Sequence, residues 1–336
     1  MPTVAVVQAA PVLFDGDASV SKAVGLARDA AAQGATLVLF PEAFIPAYPR
    51  GLSFGAVVGS RTAEGRAMYA RYVANSIDVP GPGTATLAAA ARDLRITLAI
   101  GVIERDPAGG TLYCTLLVFG PDGSLLHHHR KLKPTASERL VWGEGDGRSL
   151  RAVDTPAGKV GGLICWENYM PLARAALYQQ GVRVWLAPTA DAREVWQSTM
   201  RHIALEGRCY VLGANQFVTR DMYPEDLGPA AAAELAAAPE IMCRGGSVIV
   251  DPLGAVIAGP LWDREGILVA DLDLDAIAGA KMDFDPVGHY ARPDVLTLRG
   301  KGTKPNALPT SARDLHRNPD RASRNAARRG RKAGRA

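Results

Sequence analysis

Hydrophobic residues along the chain follow two patterns, short apolar runs and longer stretches with helical spacing. The run at residues 37–40 is wholly apolar, which is typical of a strand covered on both faces. Residues 3–9 are β-branched and weakly alternating, and they predict the first strand. Between these strands, residues 20–32 are Ala-rich with apolar positions at helical spacing, and Gly34 follows, which predicts a capped helix.

The alternation of strands and helices continues to residue 272. Its order is β-α-β-α-β-β followed by β-α-β-α-β-β-β, two roughly equivalent halves without a sequence repeat. Sheets with helices stacked on their outer faces suit this order. Further helices are predicted at 63–76, 84–94, 172–178 and 195–207, with a helix or surface insertion at 229–239. Further strands are predicted at 96–102, 111–119, 183–187, 209–214, 245–250 and 266–272.

Composition changes this picture little. The chain has 336 residues, 48% of them hydrophobic, which is enough to bury the core of one large α/β domain. No run of 18 apolar residues predicts a membrane span, and the N-terminus lacks the basic segment of a signal peptide. The four cysteines are widely spaced without a CxxC pair, which favours a reducing cytoplasm over a disulfide framework or a cysteine-based zinc site.

The net charge of +4 is unevenly distributed. Residues 301–336 hold 11 Lys/Arg and 2 Asp/Glu, whereas the preceding 300 residues hold 27 and 32. The tail has few large apolar residues, so we expect a separate, disordered segment over 301–336. Such a basic tail leaves open an assembly or nucleic-acid-binding role. The tail has no aromatic residues on which bases could stack, which argues against nucleic acid as a partner.

The first candidate for chemistry is Cys165. An apolar stretch ends at this cysteine, polar and aromatic residues follow, and Pro171 begins the next predicted helix. A strand-to-helix corner positions a nucleophile, and free backbone N–H groups there favour a thiolate and a developing oxyanion. The alternative is a small buried hydrophobic residue, as most free cysteines are.

Two charged residues at the ends of strands could activate this thiol. Glu42 follows an apolar strand, where partial burial raises a carboxyl pKa toward that of a useful base. Lys131 lies in a basic loop after a strand and could supply positive charge. Taken singly, Glu42 could be a helix-start carboxylate and Lys131 one charge of a solvated run.

Three segments, each containing one of these candidates, occur in the order of the signatures of a known superfamily. They read Phe40-Pro41-Glu42-Ala43-Phe44-Ile45-Pro46-Ala47-Tyr48-Pro49-Arg50-Gly51, His129-Arg130-Lys131-Leu132-Lys133-Pro134-Thr135 and Ile164-Cys165-Trp166-Glu167-Asn168. Shorter matching segments begin at Glu138, Pro188 and Asp285. The set resembles the nitrilase (carbon–nitrogen hydrolase) superfamily, most closely its nitrilase branch, over about residues 3–296.

The resemblance implies a four-layer α-β-β-α sandwich, a single large domain over residues 1–300. It also implies a catalytic triad in which Glu42 is the general base, Lys131 the electrostatic stabiliser and Cys165 the nucleophile. Glu138 matches a second glutamate that helps to position the substrate and Lys131. The resemblance implies no metal or organic cofactor, and a homo-oligomer of dimers that build into a spiral or filament.

The reaction that this resemblance implies is hydrolysis of an organic nitrile to a carboxylic acid and ammonia through a thioimidate and a thioester on Cys165. An amidase and a cyanide-degrading enzyme of the same superfamily are the alternatives, and Trp166-Glu167-Asn168 favours the nitrile branch. We expect substrate contacts from Tyr48, Trp142, Trp166, Pro188, Thr189 and Ala190.

Two other clusters carry little weight. The three consecutive histidines from His127 to His129 are a poor metal site, because consecutive residues on a strand point to opposite faces. We expect a polar loop there that leads into Lys131. The Gly-rich loop at 143–147 lacks the spacing of a phosphate-binding loop.

Overall fold

The computed structural model describes residues 1–300, which form two β-sheets with helices on their outer faces. The first sheet has the order β13-β1-β2-β3-β4-β5, with β1, β2 and β3 parallel and the other pairs antiparallel. Its strands are β1 (Thr3–Gln8), β2 (Leu37–Leu39), β3 (Thr97–Arg105), β4 (Leu112–Phe119), β5 (Leu125–Arg130) and β13 (Gly266–Asp271).

The second sheet has the order β10-β11-β9-β8-β7-β6, with β12 also paired to β11. Strands β7, β8 and β9 are parallel at its centre. Its strands are β6 (Val153–Thr155), β7 (Gly158–Gly162), β8 (Val184–Pro188), β9 (Tyr210–Ala214), β10 (Phe217–Thr219), β11 (Ile241–Val250) and β12 (Val256–Trp262).

Successive side chains of a strand point to opposite faces of its sheet and so pack into different layers of the fold. In β1, Val4 and Val6 belong to the hydrophobic cluster between the two sheets, whereas Ala5 and Val7 pack under helices. In the second sheet, β8 alternates likewise between the same central cluster and a third cluster on its outer face. The structure therefore has the predicted α-β-β-α arrangement, and the apolar run at 37–40 is buried on both faces.

The helices begin and end close to their predicted bounds. The first begins at Gly16, four residues early, because the Asp15 side chain accepts the Ala18 N–H and caps it. The helices are α1 (Gly16–Ala32), α2 (Ala63–Asn75), α3 (Pro82–Leu94), α4 (Pro171–Tyr178), α5 (Trp196–Gly207), α6 (Pro229–Ala236) and α7 (Ala276–Ala280). Helices α1 and α3 cover the first sheet, and α4 and α5 cover the second.

Four strands are absent from the sequence prediction. One is β5, which lies in the segment expected as the loop that leads into Lys131. The others are the short or edge strands β6, β10 and β12. Two of them have only three residues, and β12 contains Gly259 and Pro260, so their propensity for strand structure is weak. The tertiary pairing with β7 and β11 creates them. The predicted tail at 301–336 lies outside the described residues. Within residues 1–300, the helices are too short or too polar to span a membrane.

Candidate active site

Glu42 is positioned by the end of β2 and its close packing on β3. A Cβ on Gly101 of β3 would lie 2.4 Å from the Pro41 oxygen and 2.6 Å from the Glu42 Cα, so only glycine permits this approach. Gln216, in the connection between β9 and β10, donates its side-chain amide to the Glu42 carbonyl at 2.9 Å. The Glu42 side chain is fully buried as a result.

Lys131 follows β5 and is buried with no exposed side-chain surface. Its Nζ donates to Glu42 Oε1 at 2.6 Å and to Glu138 Oε2 at 2.7 Å. Glu138 is itself held by the Tyr48 hydroxyl at 2.7 Å and by the Thr135 N–H at 2.6 Å. One ammonium therefore lies between two carboxylates, an arrangement that keeps it protonated inside the protein.

Cys165 lies at a sharp turn between β7 and α4, and a short 3-10 helix over Cys165–Tyr169 comes before Pro171. Its φ of 51° is in the left-handed region, which costs a residue with a side chain about 1 kcal/mol or more. The buried Asn168 amide donates to the carbonyls of Leu163 and Cys165 at 2.8 Å, and so stabilises this turn.

The sulfur of Cys165 accepts a hydrogen bond from the Thr189 hydroxyl at 3.2 Å. That hydroxyl oxygen accepts the Asp191 N–H at 3.0 Å, which leaves its hydrogen for the sulfur. Burial, and next the negative charge of Glu42, raises the pKa of the Cys165 thiol to about 12, although Lys131 opposes the shift. The thiol is therefore neutral at rest and needs a base.

Glu42 has the properties of such a base. Burial, reinforced by the charge of Glu138, raises its pKa against the opposing effect of Lys131. Its Oε1 accepts from Lys131 and from the Cys114 thiol at 3.4 Å, whereas its buried Oε2 has no hydrogen-bond partner among residues 1–300. Burial alone would lower the pKa of Lys131, but the charge of Glu42 raises it well above its usual value.

A cavity of about 410 Å³ opens at Cys165. Three of the predicted substrate contacts, Tyr48, Trp166 and Ala190, line it, and Glu138 does as well. Trp142 instead lines an adjoining cavity of about 440 Å³, which shares Tyr48 and Glu138 with the first. The remaining two predicted contacts are Pro188 and Thr189. Pro188 is buried at the end of β8, whereas the Thr189 hydroxyl donates to the Cys165 sulfur.

Several residues of this site received no role from the sequence. Cys114 and Glu167 contact the predicted catalytic segments, and Arg50, Asp191, Arg193, Met242 and Arg244 line the cavity. Arg50 and Glu167 lie inside the superfamily segments at 40–51 and 164–168, so their closeness in sequence to Glu42 and Cys165 could have indicated a place in the site. For Cys114, Met242 and Arg244 the sequence carries no signal, because pairing of distant strands brings them here.

The three histidines alternate along β5. His127 and His129 stack with ring centroids 5.9 Å apart, while His128 Nε2 contacts Glu104 Oε2 on the opposite face at 2.7 Å. Burial lowers the pKa of His127 to about 3. Within the part of the chain that the structure describes, no three His, Cys, Asp or Glu side chains are placed to bind a metal ion together.

Comparisons with known proteins identify the family. A family profile described as carbon–nitrogen hydrolase matches residues 3–282. The chain belongs to the carbon–nitrogen hydrolase family. An aliphatic nitrilase from Sinorhizobium fredii (strain HH103) is 56% identical over 294 residues, covering 88% of this chain and 94% of that protein. A bifunctional nitrilase/nitrile hydratase from Nicotiana tabacum is 52% identical over 309 residues, covering 88% and 86%.

Solved structures of other carbon–nitrogen hydrolases have the same fold. One from Helicobacter pylori G27 matches with a TM-score of 0.67 at 20% identity, covering 87% of this chain and 96% of that chain. A nitrilase-superfamily member from Saccharomyces cerevisiae matches with a TM-score of 0.66 at 22% identity, covering 86% and 96%. The relatives confirm the resemblance to the nitrilase branch, and the structures confirm the sandwich fold.

Proposed function

We propose that the protein is a nitrilase, which hydrolyses an organic nitrile with two waters to a carboxylic acid and ammonia. One observation carries the chemistry: a buried lysine bridges two carboxylates beside a buried thiol, and one carboxylate oxygen is left without a partner. The high identity to nitrilases over most of the chain supports the nitrile as the substrate.

In the first half-reaction, Glu42 takes the Cys165 proton through its unpartnered Oε2 as the sulfur attacks the nitrile carbon. The proton then passes to the nitrile nitrogen, giving a thioimidate. Lys131 and the Trp166 backbone N–H stabilise the developing charge, each well-aimed donor contributing about 3 kcal/mol. The Thr189 hydroxyl stabilises the sulfur while it carries negative charge.

In the second half-reaction, Glu42 deprotonates a water that adds to the thioimidate carbon, and the nitrogen takes up the proton. The tetrahedral intermediate expels ammonia when its hydroxyl proton moves to the nitrogen, leaving a thioester. A second water, activated by Glu42, hydrolyses the thioester and returns the proton to Cys165. Glu138 holds Lys131 in place throughout.

For substrate contacts we propose Tyr48, Trp166 and Ala190 around the reacting carbon, with Trp142 farther along the adjoining cavity. Pro188 and Thr189 act by shaping the turn beside the sulfur. Aliphatic, aromatic and arylacetonitriles remain candidates for the substrate.

The decisive experiment measures acid, amide and ammonia from a panel of these nitriles and from the matching amides. The wild-type protein should give acid and ammonia from at least one nitrile. Cys165→Ala should give none, and Cys209→Ala, a matched change at a buried thiol in the outer-face cluster, should behave like wild type. Ammonia at the wild-type rate from Cys165→Ala, or turnover of amides alone, would contradict the proposal.

We also propose a homo-oligomer and a cytoplasmic location. The exposed Tyr169, Leu172 and Val195 offer apolar surface for assembly. All four cysteines are free and buried, which suits a reducing compartment. Light scattering coupled to size-exclusion chromatography tests the first proposal, since a monomer at every concentration would contradict it. Cell fractionation tests the second.

A further inference from the structure

We infer that Glu167, which follows the nucleophile by two residues, is a positioning residue that fixes the backbone beside Lys131 relative to the backbone beside Cys165. This role rests on the proposed function, because it concerns the two residues to which the mechanism assigns charge stabilisation and attack. Glu167 lines no part of the cavity at Cys165, so it acts through its neighbours and not on the substrate.

The contacts of its carboxylate carry the inference. Oε1 accepts the Leu132 N–H at 2.6 Å, the residue directly after Lys131. Oε2 accepts the Ile164 N–H at 2.7 Å, the residue directly before Cys165. One side chain with no exposed surface therefore joins the peptide segments next to Lys131 and Cys165.

These segments belong to different sheets. Lys131 follows β5 at the edge of the first sheet, and Cys165 follows β7 of the second. Apolar packing between sheets is not directional, and it tolerates small sliding movements that a hydrogen bond resists. A displacement of about 1 Å at a reacting group can lower the rate by about 10²-fold, so a bond between the segments has catalytic value.

A third contact orients the carboxylate. His129 Nε2 lies 3.2 Å from both carboxylate oxygens, and its Nδ1 lies 2.9 Å from the Ser149 hydroxyl. Burial would raise the pKa of Glu167, but the charge and hydrogen bond of His129 and the two backbone donors lower it below its usual value. The carboxylate is therefore ionised, and Nε2 must be the donor.

The alternative is a local role, because the bond to Ile164 also caps the start of the short 3-10 helix. A cap would explain that contact but not the bond to Leu132, which is 35 residues away along the chain. The two roles predict different effects on a substitution, since losing a cap lowers stability alone.

The test compares Glu167→Gln with Glu104→Gln. In Glu167→Gln, an amide nitrogen replaces one oxygen and faces a backbone N–H, so one of the two bonds is lost. Glu104 is an equally buried carboxylate that contacts His128 and Arg130 on the other face of β5 and serves as the matched control. We expect kcat for ammonia release to fall about 10²-fold in Glu167→Gln, with KM changed less than about threefold.

A second measurement needs no nitrile. Alkylation of Cys165 by iodoacetamide, followed over pH, reports how well Lys131 stabilises the thiolate. We expect slower alkylation at each pH in folded Glu167→Gln and an unchanged rate in Glu104→Gln. Should Glu167→Gln not fold, Glu167→Asp serves, because its shorter carboxylate cannot reach both N–H groups. Folded variants with kcat and alkylation rates within about twofold of wild type would overturn the inference. Absence of nitrile turnover in wild type would overturn only the proposed function.

Discussion

Two buried carboxylates, Glu104 and Glu42, lie on opposite sides of β5, and their pKa values are shifted in opposite directions. On one face, His128 and Arg130 contact Glu104, and hydrogen bonds from both outweigh the effect of burial and lower the pKa of Glu104 to about 2. On the face between the sheets, Lys131 contacts Glu42, whose pKa is nevertheless raised. The difference arises because Lys131 is shared with Glu138 and full burial penalises the Glu42 charge.

The comparison separates a structural ion pair from the pair that we propose to be reactive. Glu104 accepts from Thr115, His128 and Arg130, which leaves it no tendency to bind a proton near neutral pH. Glu42 keeps one buried oxygen without a partner among the described residues. An under-satisfied carboxylate of raised pKa is what a general base requires.

The largest expected effect is at Lys131. Replacing it in Lys131→Met should lower kcat by about 10³-fold, because the change removes a buried donor and leaves two carboxylates facing each other. Lys133→Met, at an exposed lysine two residues away, is the control and should stay within about twofold of wild type. Steady-state ammonia release measures both, and equal losses in the two variants would contradict a specific role for the buried Lys131.

The pH dependence is the next test. Glu42 must be unprotonated to act, and its pKa is raised above 4.5, so kcat/KM should fall as the pH drops through a value above 4.5. On the basic side, the pKa of Lys131 lies well above 10.5 and that of Cys165 is about 12, so neither causes a loss up to about pH 9. A profile of kcat/KM against pH checks this, and an acidic limb below 4.5 would contradict the role of Glu42.

A smaller effect is expected at Thr189. Thr189→Val removes the hydroxyl that donates to the Cys165 sulfur, and should lower kcat/KM roughly tenfold, since a hydrogen bond to a charged group contributes about 1.5 kcal/mol or more. Thr115→Val removes a hydroxyl donor to Glu104 and should leave kcat/KM unchanged. If Thr115→Val lowered kcat/KM as much, a general effect of buried hydroxyls would explain both results.

The smallest effect on activity is expected at Glu104. Glu104→Gln should lower the free energy of unfolding by about 1–3 kcal/mol at pH 7, with kcat within about twofold of wild type. The pKa of Glu104 is lowered to about 2 in the folded protein. Its contribution to the free energy of unfolding is therefore present above pH 4.5 and is lost as the pH falls from 4.5 to about 2. Denaturant unfolding at both ends of that range measures it, and a pH-independent difference would contradict this account.

The sequence by itself determined the alternation of strands and helices, the burial of residues 37–40 and the three segments that contain Glu42, Lys131 and Cys165. These features are local, because hydrophobic periodicity and turn residues act over a few neighbouring positions. It did not predict β5, since a polar loop was expected at His127 to His129, where the structure has a strand with His128 facing away from its two neighbours.

Only the tertiary structure decided the side-chain contacts around Glu42, Lys131 and Cys165. The contacts of Cys114 with Glu42, of Thr189 with the Cys165 sulfur, and of Glu167 with Leu132 join residues 72, 24 and 35 positions apart. The short strands β6, β10 and β12 likewise exist through pairing with distant partners. Such contacts depend on how two sheets pack face to face, and no pattern of neighbouring residues encodes that distance.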